Sequence, residues 1–341
     1  MNIKKGAIII IALLAFFVLA VFIWAKYQSG IIIKNKQALN EQRIYKVGVV
    51  YAGGAYEQAL AGLKEGLKNL GYIDGTNIVY IVKDVQGNMD AVQPAIADIL
   101  KENPDLVYTI STPVTTQAWK AVGNNLPIVF NIVGDPIGAG FAKSYSSSET
   151  NLTGCSNISA ELSGKRLEIF KDAFPNINKV VTFYNPGNSF SMLSISNSRK
   201  ASQGVGVELA EMQTKDVAEL ESALNSIKPG EYDGIYITPD AMVVSKVELI
   251  VKKANELGIP TMGHEETLAQ KGVAVTYGAN FYQLGSQCSS VVDLILKGKR
   301  PGNIAIQIPK KLDIVINEST LGLLKTTTTP EILGRTDKII K

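Results

Sequence analysis

Four short polar stretches stand where apolar runs stop. Ser111-Thr112-Pro113 follows residues 106–110, and Gly134-Asp135-Pro136 ends the run in PIVFNIVGDPIGAGF (127–141). Asn185-Pro186-Gly187 follows KVVTFY, and Pro239-Asp240 follows GIYIT. An acid in such a place can serve as a catalytic acid, part of a phosphate loop, a turn residue or the rim of a cleft. A phosphate loop needs GxxxxGK followed by Ser or Thr, or a strand–GxGxxG–helix unit. Gly138 and Gly140 supply only a short GxG, so nucleotide binding is set aside. Ser111 or Thr112 suits an N-cap and Pro113 the first helical turn. The same helix start offers free N–H groups to a carboxylate. Asp135 and Asp240 read either as turn or cap residues or as partners of a ligand cation, because an unpaired buried charge is costly. Together these stretches fit a zwitterion held by its carboxylate at Ser111 and Thr112 and by its ammonium at Asp240.

Other chemistry is narrowed by scarcity. The 341 residues include one histidine, His264, so a site with several His ligands is impossible. Any Ser-His-Asp or Cys-His machinery would have to use it. His264-Glu265-Glu266 does not match HExxH and reads as a loop or helix start; no metal and no cofactor is expected. Cys155 and Cys288 lie far apart without metal spacing and read as buried thiols. A net charge of +3 with no basic block gives no reason to expect nucleic acid.

Residues 7–25 form an uncharged apolar run behind Lys4 and Lys5. About 19 residues in a helix span roughly 28 Å, close to a bilayer core. The leading lysines favour a cytoplasmic N-terminus and an exported remainder. With no small-x-small cleavage site and no lipobox cysteine, the run reads as an uncleaved anchor in preference to a signal peptide. Residues 26–43 read as a tether.

The elements that must position the polar stretches alternate from residue 44 onward. Strands are expected at 45–52, 78–82, 106–110 and 127–133, with helices at 55–70, 89–102 and 114–122. The pattern restarts near 158. Helices are expected at 162–173, 191–203, 217–227, 243–257 and 282–296, with strands at 179–185, 206–211, 234–238, 260–262 and 273–277. Late strands are expected at 304–308 and 312–316. Such alternation predicts parallel sheets covered on both faces. Ligands of such sheets sit outside the carboxyl ends of the strands, and two facing units would share one cleft.

From about residue 44 to 324 the chain resembles the substrate-binding proteins of ABC transporters, the group that includes tryptophan- and tyrosine-binding members. The resemblance rests on an ordered series: GYIDGTNI (71–78), TPVTTQA (112–118), PIVFNIVGDPIGAGF, NLTGCS (151–156) and VVTFYNPGNS (180–189). It continues through ITPDAMVVS (237–245), HEETLAQKGVAVTYGANFYQLG (264–285) and ILKGKRPGNIAIQIPKKLDIVIN (295–317). It implies an α/β, two-lobed periplasmic binding protein fold of type I-like character. Two parallel-sheet Rossmann-like lobes would be joined by a hinge of three crossovers, near 157–161, 278–281 and 317–320, and preceded by a transmembrane helix. The lobes are expected at 44–157 with 281–317, and at 158–280 with 318–341. The resemblance puts Ser111, Thr112 and Asp135 on the first lobe's side of a ligand pocket, Asn185 and Asp240 on the second, and Ser156, Tyr277 and Asn280 near the hinges.

Two departures from the family pattern bear on the ligand. Gly53-Gly54-Ala55-Tyr56-Glu57 replaces a His-Pro-Ala-Leu-Asp-like stretch, and Ala241-Met242 replaces Asn-Thr after Asp240. Fewer polar groups, with Tyr56 and Met242 gained, favour an aromatic or apolar side chain. The expected function is extracytoplasmic binding of a small ligand, an amino acid such as tryptophan or tyrosine, for an importer's permease and ATPase, without catalysis. A tethered sensor reporting to a receptor, or an exported hydrolase using His264 or the carboxylates Asp135 and Asp240, are the competing readings.

Overall fold

The computed structural model describes residues 43–341, together with 21, 24 and 26–28. Most of the apolar run 7–25 and most of the tether lie outside the described residues. Among the described residues, no helix is long and apolar enough to cross a membrane.

In chain order the strands are β1 (Tyr45–Tyr51), β2 (Ile78–Asp84), β3 (Leu106–Ile110), β4 (Ile128–Val133), β5 (Leu152–Ser156), β6 (Lys179–Tyr184), β7 (Glu208–Gln213), β8 (Gly234–Tyr236), β9 (Thr261–Gly263), β10 (Val275–Gly278), β11 (Asp313–Asn317) and β12 (Lys338–Ile340). The helices are α1 (Tyr56–Asn69), α2 (Val92–Lys101), α3 (Thr112–Val122), α4 (Ser163–Ala173), α5 (Ser189–Val205), α6 (Val217–Ser226), α7 (Ala241–Ser245), α8 (Val247–Leu257), α9 (Glu266–Gln270), α10 (Phe281–Leu296), α11 (Glu318–Leu323) and α12 (Pro330–Gly334).

Ile73–Val79 groups with Tyr45 in a small compact unit. Within it the N–H of Tyr45 donates to the Asn77 carbonyl at 2.9 Å, and the Asn77 side chain accepts from the N–H of Ile73 at 2.6 Å. Everything that follows concerns the larger unit, Lys46–Tyr72 with Tyr80–Lys341.

That unit is built on two sheets. The first has the order β2-β1-β3-β4-β5, and the second β12-β11-β10-β9-β8-β6-β7. Counted from its own first strand, β6, the second sheet repeats the 2-1-3-4-5 order of the first. In this doubly wound order the chain reverses direction across the sheet beside the first strand, and a crevice opens there. In the first sheet that point lies between β1 and β3; in the second it lies between β6 and β8.

Three strands of the first sheet are mostly apolar, with Thr109, Asn131, Thr153 and Ser156 as their buried polar residues. β3, β4 and β5 are buried at every residue, as parallel strands covered on both faces must be. Val107, Phe130 and Leu152 pack with Ile96, Ile99 and Val114 from α2 and α3. The opposite face carries α10, which contacts β4 and β5 and lies along α1. α1 and α10 approach closely because a Cβ on Gly62 would collide with the Tyr282 carbonyl, and one on Gly285 with that of Ala59. The second sheet has a core on each face, one around Leu167, Phe170 and Tyr236, the other around Leu220, Ile235 and Ile250.

Several features differ from the sequence reading, among them β12 and the short helices α9, α11 and α12, which it did not expect. β5, contained in NLTGCS, is a strand that the periodicity did not show. Residues 304–308 are not a strand; Gln307 makes a single bridge to Cys155. The helix expected over 243–257 breaks at Lys246 into α7 and α8. β11, expected in the first lobe, pairs antiparallel with β10 in the second sheet, with Val275 opposite Ile316. The third crossing therefore falls between Gln307 and Asp313, ahead of the expected 317–320. Asn317 and Thr320 instead cap α11, with Asn317 accepting from the N–H of Thr320 at 2.8 Å.

Candidate functional site

A cavity of about 370 Å³ opens at the carboxyl ends of both sets of strands, within the range of small-molecule sites. The first lobe lines it with Tyr56, Ser111, Thr112, Pro113, Thr116, Ile132, Gly134, Asp135, Gly138 and Ala139. Asn157 and Ser159 contribute from the first crossing. Asn188, Ser189, Phe190, Pro239, Ala241, Val244, His264 and Glu265 line it from the second lobe.

The first-lobe wall is shaped by backbone. Ser111, at the end of β3, has φ 91° and ψ 153°, a region close to glycine's own. Its N–H donates to the Asn131 carbonyl of the neighbouring strand at 2.9 Å, and its carbonyl starts α3. Its side chain makes no capping hydrogen bond; Pro113 has no N–H, so the N–H groups left uncapped by it at the start of α3 are those of Thr112 and Val114. One strand over, the β4–β5 register shifts between Asn131 and Val133. Ile132 sits in the bulge at φ 54°, an unusual value for a β-branched residue. The Asn131 side chain props it from below: Oδ1 accepts from the N–H of Ile132 at 2.8 Å, and Nδ2 donates to the Tyr108 hydroxyl at 2.7 Å. The bulge presents Ile132 to the cavity as an apolar wall residue.

Asp135 is half-buried on the rim. Its Oδ1 accepts from the N–H of Gly138 at 2.7 Å and closes the turn that its sequence predicted. Tyr56 begins α1 and stacks on Phe281 with ring centroids 5.9 Å apart. Gly134 is where the lobes touch: a Cβ there would collide with the Phe190 ring of α5.

The second lobe uses its strand ends differently. Asp240 is 2% exposed and does not line the cavity. Its Oδ1 accepts the N–H groups of Met242 and Val243 at 2.9 and 3.2 Å, capping α7. Its Oδ2 accepts the N–H of Asn185 at 3.1 Å and the hydroxyl of Ser191. The carboxylate is thus fully engaged inside the lobe, and its expected place as the ammonium partner is corrected: its neighbours Pro239 and Ala241 form the wall.

The other expected residues also have structural partners and stand outside the cavity. The Asn185 side chain accepts from Gly187 at 2.8 Å and donates to the Lys215 carbonyl at 3.2 Å. The Ser156 hydroxyl accepts from the N–H of Ile158 at the first crossing, at 3.0 Å. Asn280 caps α10 through the N–H of Gln283 at 3.0 Å. The Tyr277 carbonyl accepts from Nε of Arg166 at 2.7 Å. The structure therefore brings together Tyr56, Ser111, Thr112 and Asp135, and leaves Ser156, Asn185, Asp240, Tyr277 and Asn280 out.

Sequence reasoning passed over His264 and Glu265 as part of the wall. Their signal was the one used elsewhere: they directly follow a strand, β9. His264 is buried, and its Nδ1 has no hydrogen-bond partner. Burial, with the Arg166 charge nearby, pushes its imidazole well below the ordinary value, so it is neutral. Burial pushes the Glu265 carboxyl up, against the Thr267 hydroxyl and the charges of Arg166 and Lys271, which pull it down. The phenol of Tyr56 is pushed up by burial and then by the Glu265 charge, and both residues line the cavity. Among the described residues no group of His, Cys, Asp and Glu could hold a metal.

Two lobes of one repeated α/β order, three crossings and a shared cavity define a solute-binding protein. The chain belongs to the ABC transporter substrate binding protein family, whose model matches residues 46–340. It is 29% identical to the tyrosine-binding protein of Clostridioides difficile (strain R20291) over 269 residues, 79% of this chain and 76% of that protein. The crystal structure of a conserved domain protein from Vibrio cholerae is 30% identical, with a TM-score of 0.78 over 87% of this chain and 100% of that one. The L-Trp complex of an ABC domain from Streptococcus pneumonia has the same fold, at a TM-score of 0.77 and 20% identity, over 87% of this chain and 100% of that one.

Proposed function

We propose that the protein captures a free amino acid with an aromatic side chain, tyrosine or tryptophan, outside the cytoplasmic membrane and hands it to an ABC permease and its ATPase, with no catalysis of its own. The observation that carries this reading is the open start of α3 at a cavity walled by both lobes. Ser111 withholds its side chain from capping, so the first N–H groups and the positive end of the helix are left for a carboxylate. Thr112 adds a hydroxyl beside them, Tyr56 a phenol, and Asp135 a carboxylate at the rim. Ile132, Phe190, Pro239 and Val244 supply an apolar chamber for a ring. The tyrosine-binding relative and the L-Trp complex bind ligands of this class. In this reading residues 7–25 hold the protein at the membrane as a single-pass anchor, and lobe closure over the ligand creates the surface the permease meets.

Titration calorimetry of the purified protein against the twenty amino acids tests it. Binding confined to aromatic side chains is the expected result. Absence of heat with every amino acid removes the ligand class.

A further inference from the structure

We infer that Cys155 and Cys288 become joined by a disulfide in the exported protein, stapling β5 to α10 inside the first lobe. The inference rests on the family's place outside the cytoplasmic membrane and not on the identity of the ligand.

The chain has two cysteines; both are fully buried, and both are thiols in this structure. Far apart in sequence, they meet on one face of the first sheet. Cys155 stands in register with Asn131 of the parallel strand β4, so the two side chains leave the same face. The Asn131 side chain reaches the Tyr108 hydroxyl on that face. It is the face that α10 covers, through contacts with β4 and β5. Cys288 comes down on it from α10: its thiol donates to the carbonyl of Phe130, the residue just before Asn131, at 3.7 Å. The sulfurs also feel each other. Burial raises the Cys155 thiol most, and the Cys288 thiol raises it further. The Tyr108 hydroxyl is raised by burial and then by both thiols, so it sits beside the pair.

The placement of the pair gives the bond a task. Cys155 precedes Ser156, the last residue of β5, and the chain then enters the first crossing. Cys288 lies about two turns into α10, just after the second crossing. The bond would tie together the two passages of chain that build the first lobe and close the intervening second-lobe stretch into one long loop. A cross-link around a long loop removes much of the freedom of the unfolded chain. It would also hold α10 on its sheet independently of the second lobe's folding.

The chemistry balances as thiol–disulfide exchange. The two thiols give up two protons and two electrons as the S–S bond forms, and a disulfide oxidant of the extracytoplasmic space, protein or small molecule, is cleaved to two thiols. The exchange belongs to folding, before α10 closes over the sheet, while the cysteines are in water and ionise near their ordinary value. Once packed, the bond is shielded from reductants.

The test counts thiols in the full chain, isolated in detergent from cells that produce it with its own N-terminus. The protein is denatured in iodoacetamide with and without prior treatment by a phosphine reductant, and its intact mass is read. No alkyl group without reductant and two after it are expected, with one cross-linked peptide pair in the unreduced digest. Reduction should also lower the melting midpoint by roughly 5–10 °C, and should leave that of Cys288→Ala unchanged. Two alkylated thiols without reductant overturn the cross-link, as does either sulfur found joined to glutathione or to a second chain. Refolding the reduced chain in a glutathione buffer then tells which premise failed: a bond that closes there faults the location, and one that stays open faults the geometry.

Discussion

The two walls of the cavity solve one positioning problem by opposite means. In the first lobe the strand after which the ligand site opens ends in Ser111, whose backbone is strained and whose side chain leaves α3 uncapped. In the second lobe the equivalent strand, β8, runs into Asp240, whose carboxylate takes four donors and leaves nothing over. The same signature, a polar residue after a buried parallel strand, is an open helix start in one lobe and a closed structural joint in the other. What separates them is whether the side chain has already satisfied its own helix. An acid that caps is held by the fold; a helix that nobody caps is free for something else.

The contrast can be broken most forcefully at Asp240. Asp240→Ala should cost about 3–5 kcal/mol of stability, since it removes the hub of a buried network and orphans its donors. Urea unfolding would read this loss. Ligand affinity in the surviving folded fraction should stay close to that of the unaltered protein, and a selective loss of affinity would return Asp240 to the site.

The contact between the walls comes next. Gly134→Ala puts a methyl group against the Phe190 ring and should weaken ligand binding about tenfold, or roughly 1.4 kcal/mol, by hindering closure. Adding Phe190→Ala should restore part of it, and a double-mutant cycle would show the coupling.

A comparable effect is expected from acid. His264 is held neutral in the fold, whereas the unfolded chain takes up a proton near pH 6.5. As the unfolded state binds more protons there, stability falls as pH drops below about 6.5, by up to about 1.4 kcal/mol per pH unit. Glu265 works the other way. Its raised value gives stability that is complete below about pH 4.5 and is lost as pH rises through the folded value. His264→Asn should therefore flatten the loss just below pH 6.5 in urea titrations at stepped pH. Because the chain has one histidine, a single imidazole NMR signal reports its titration directly.

The smallest effect sharpens the first-lobe side. Ser111→Gly relieves a backbone conformation that costs on the order of 1–3 kcal/mol, offset by the added freedom of glycine in the unfolded chain. A net gain of about 1 kcal/mol in urea unfolding is expected, and a loss would mean that Ser111 is not strained.

The sequence carried most of the scaffold because parallel strands buried on both faces announce themselves as short apolar runs, as in 106–110 and 127–133. β11 and β12 were harder. Nothing local in LDIVIN says that it pairs antiparallel with β10 rather than joining the nearer sheet, because the choice is made by the crossing before it. At the site, the positions after strands were legible and the directions of side chains were not. Asp135, Asp240 and Glu265 are all acids at or near strand ends. Only the fold shows one folded over a turn, one turned inward and one left facing the cavity. The strain at Ile132 was invisible too, since a bulge depends on the partner strand's register.

The glycines between α1 and α10 have a mechanical consequence. Backbone meets backbone along that seam, so a side chain added at Gly62 or Gly285 would force the two helices apart. α10 starts at Phe281, directly after the second crossing, and Tyr56 at the head of α1 stacks on that residue. Tyr56 is thereby tied to the head of α10, three residues beyond Gly278. A side chain at either glycine would therefore be felt at the chamber wall through Tyr56, although neither glycine lines it.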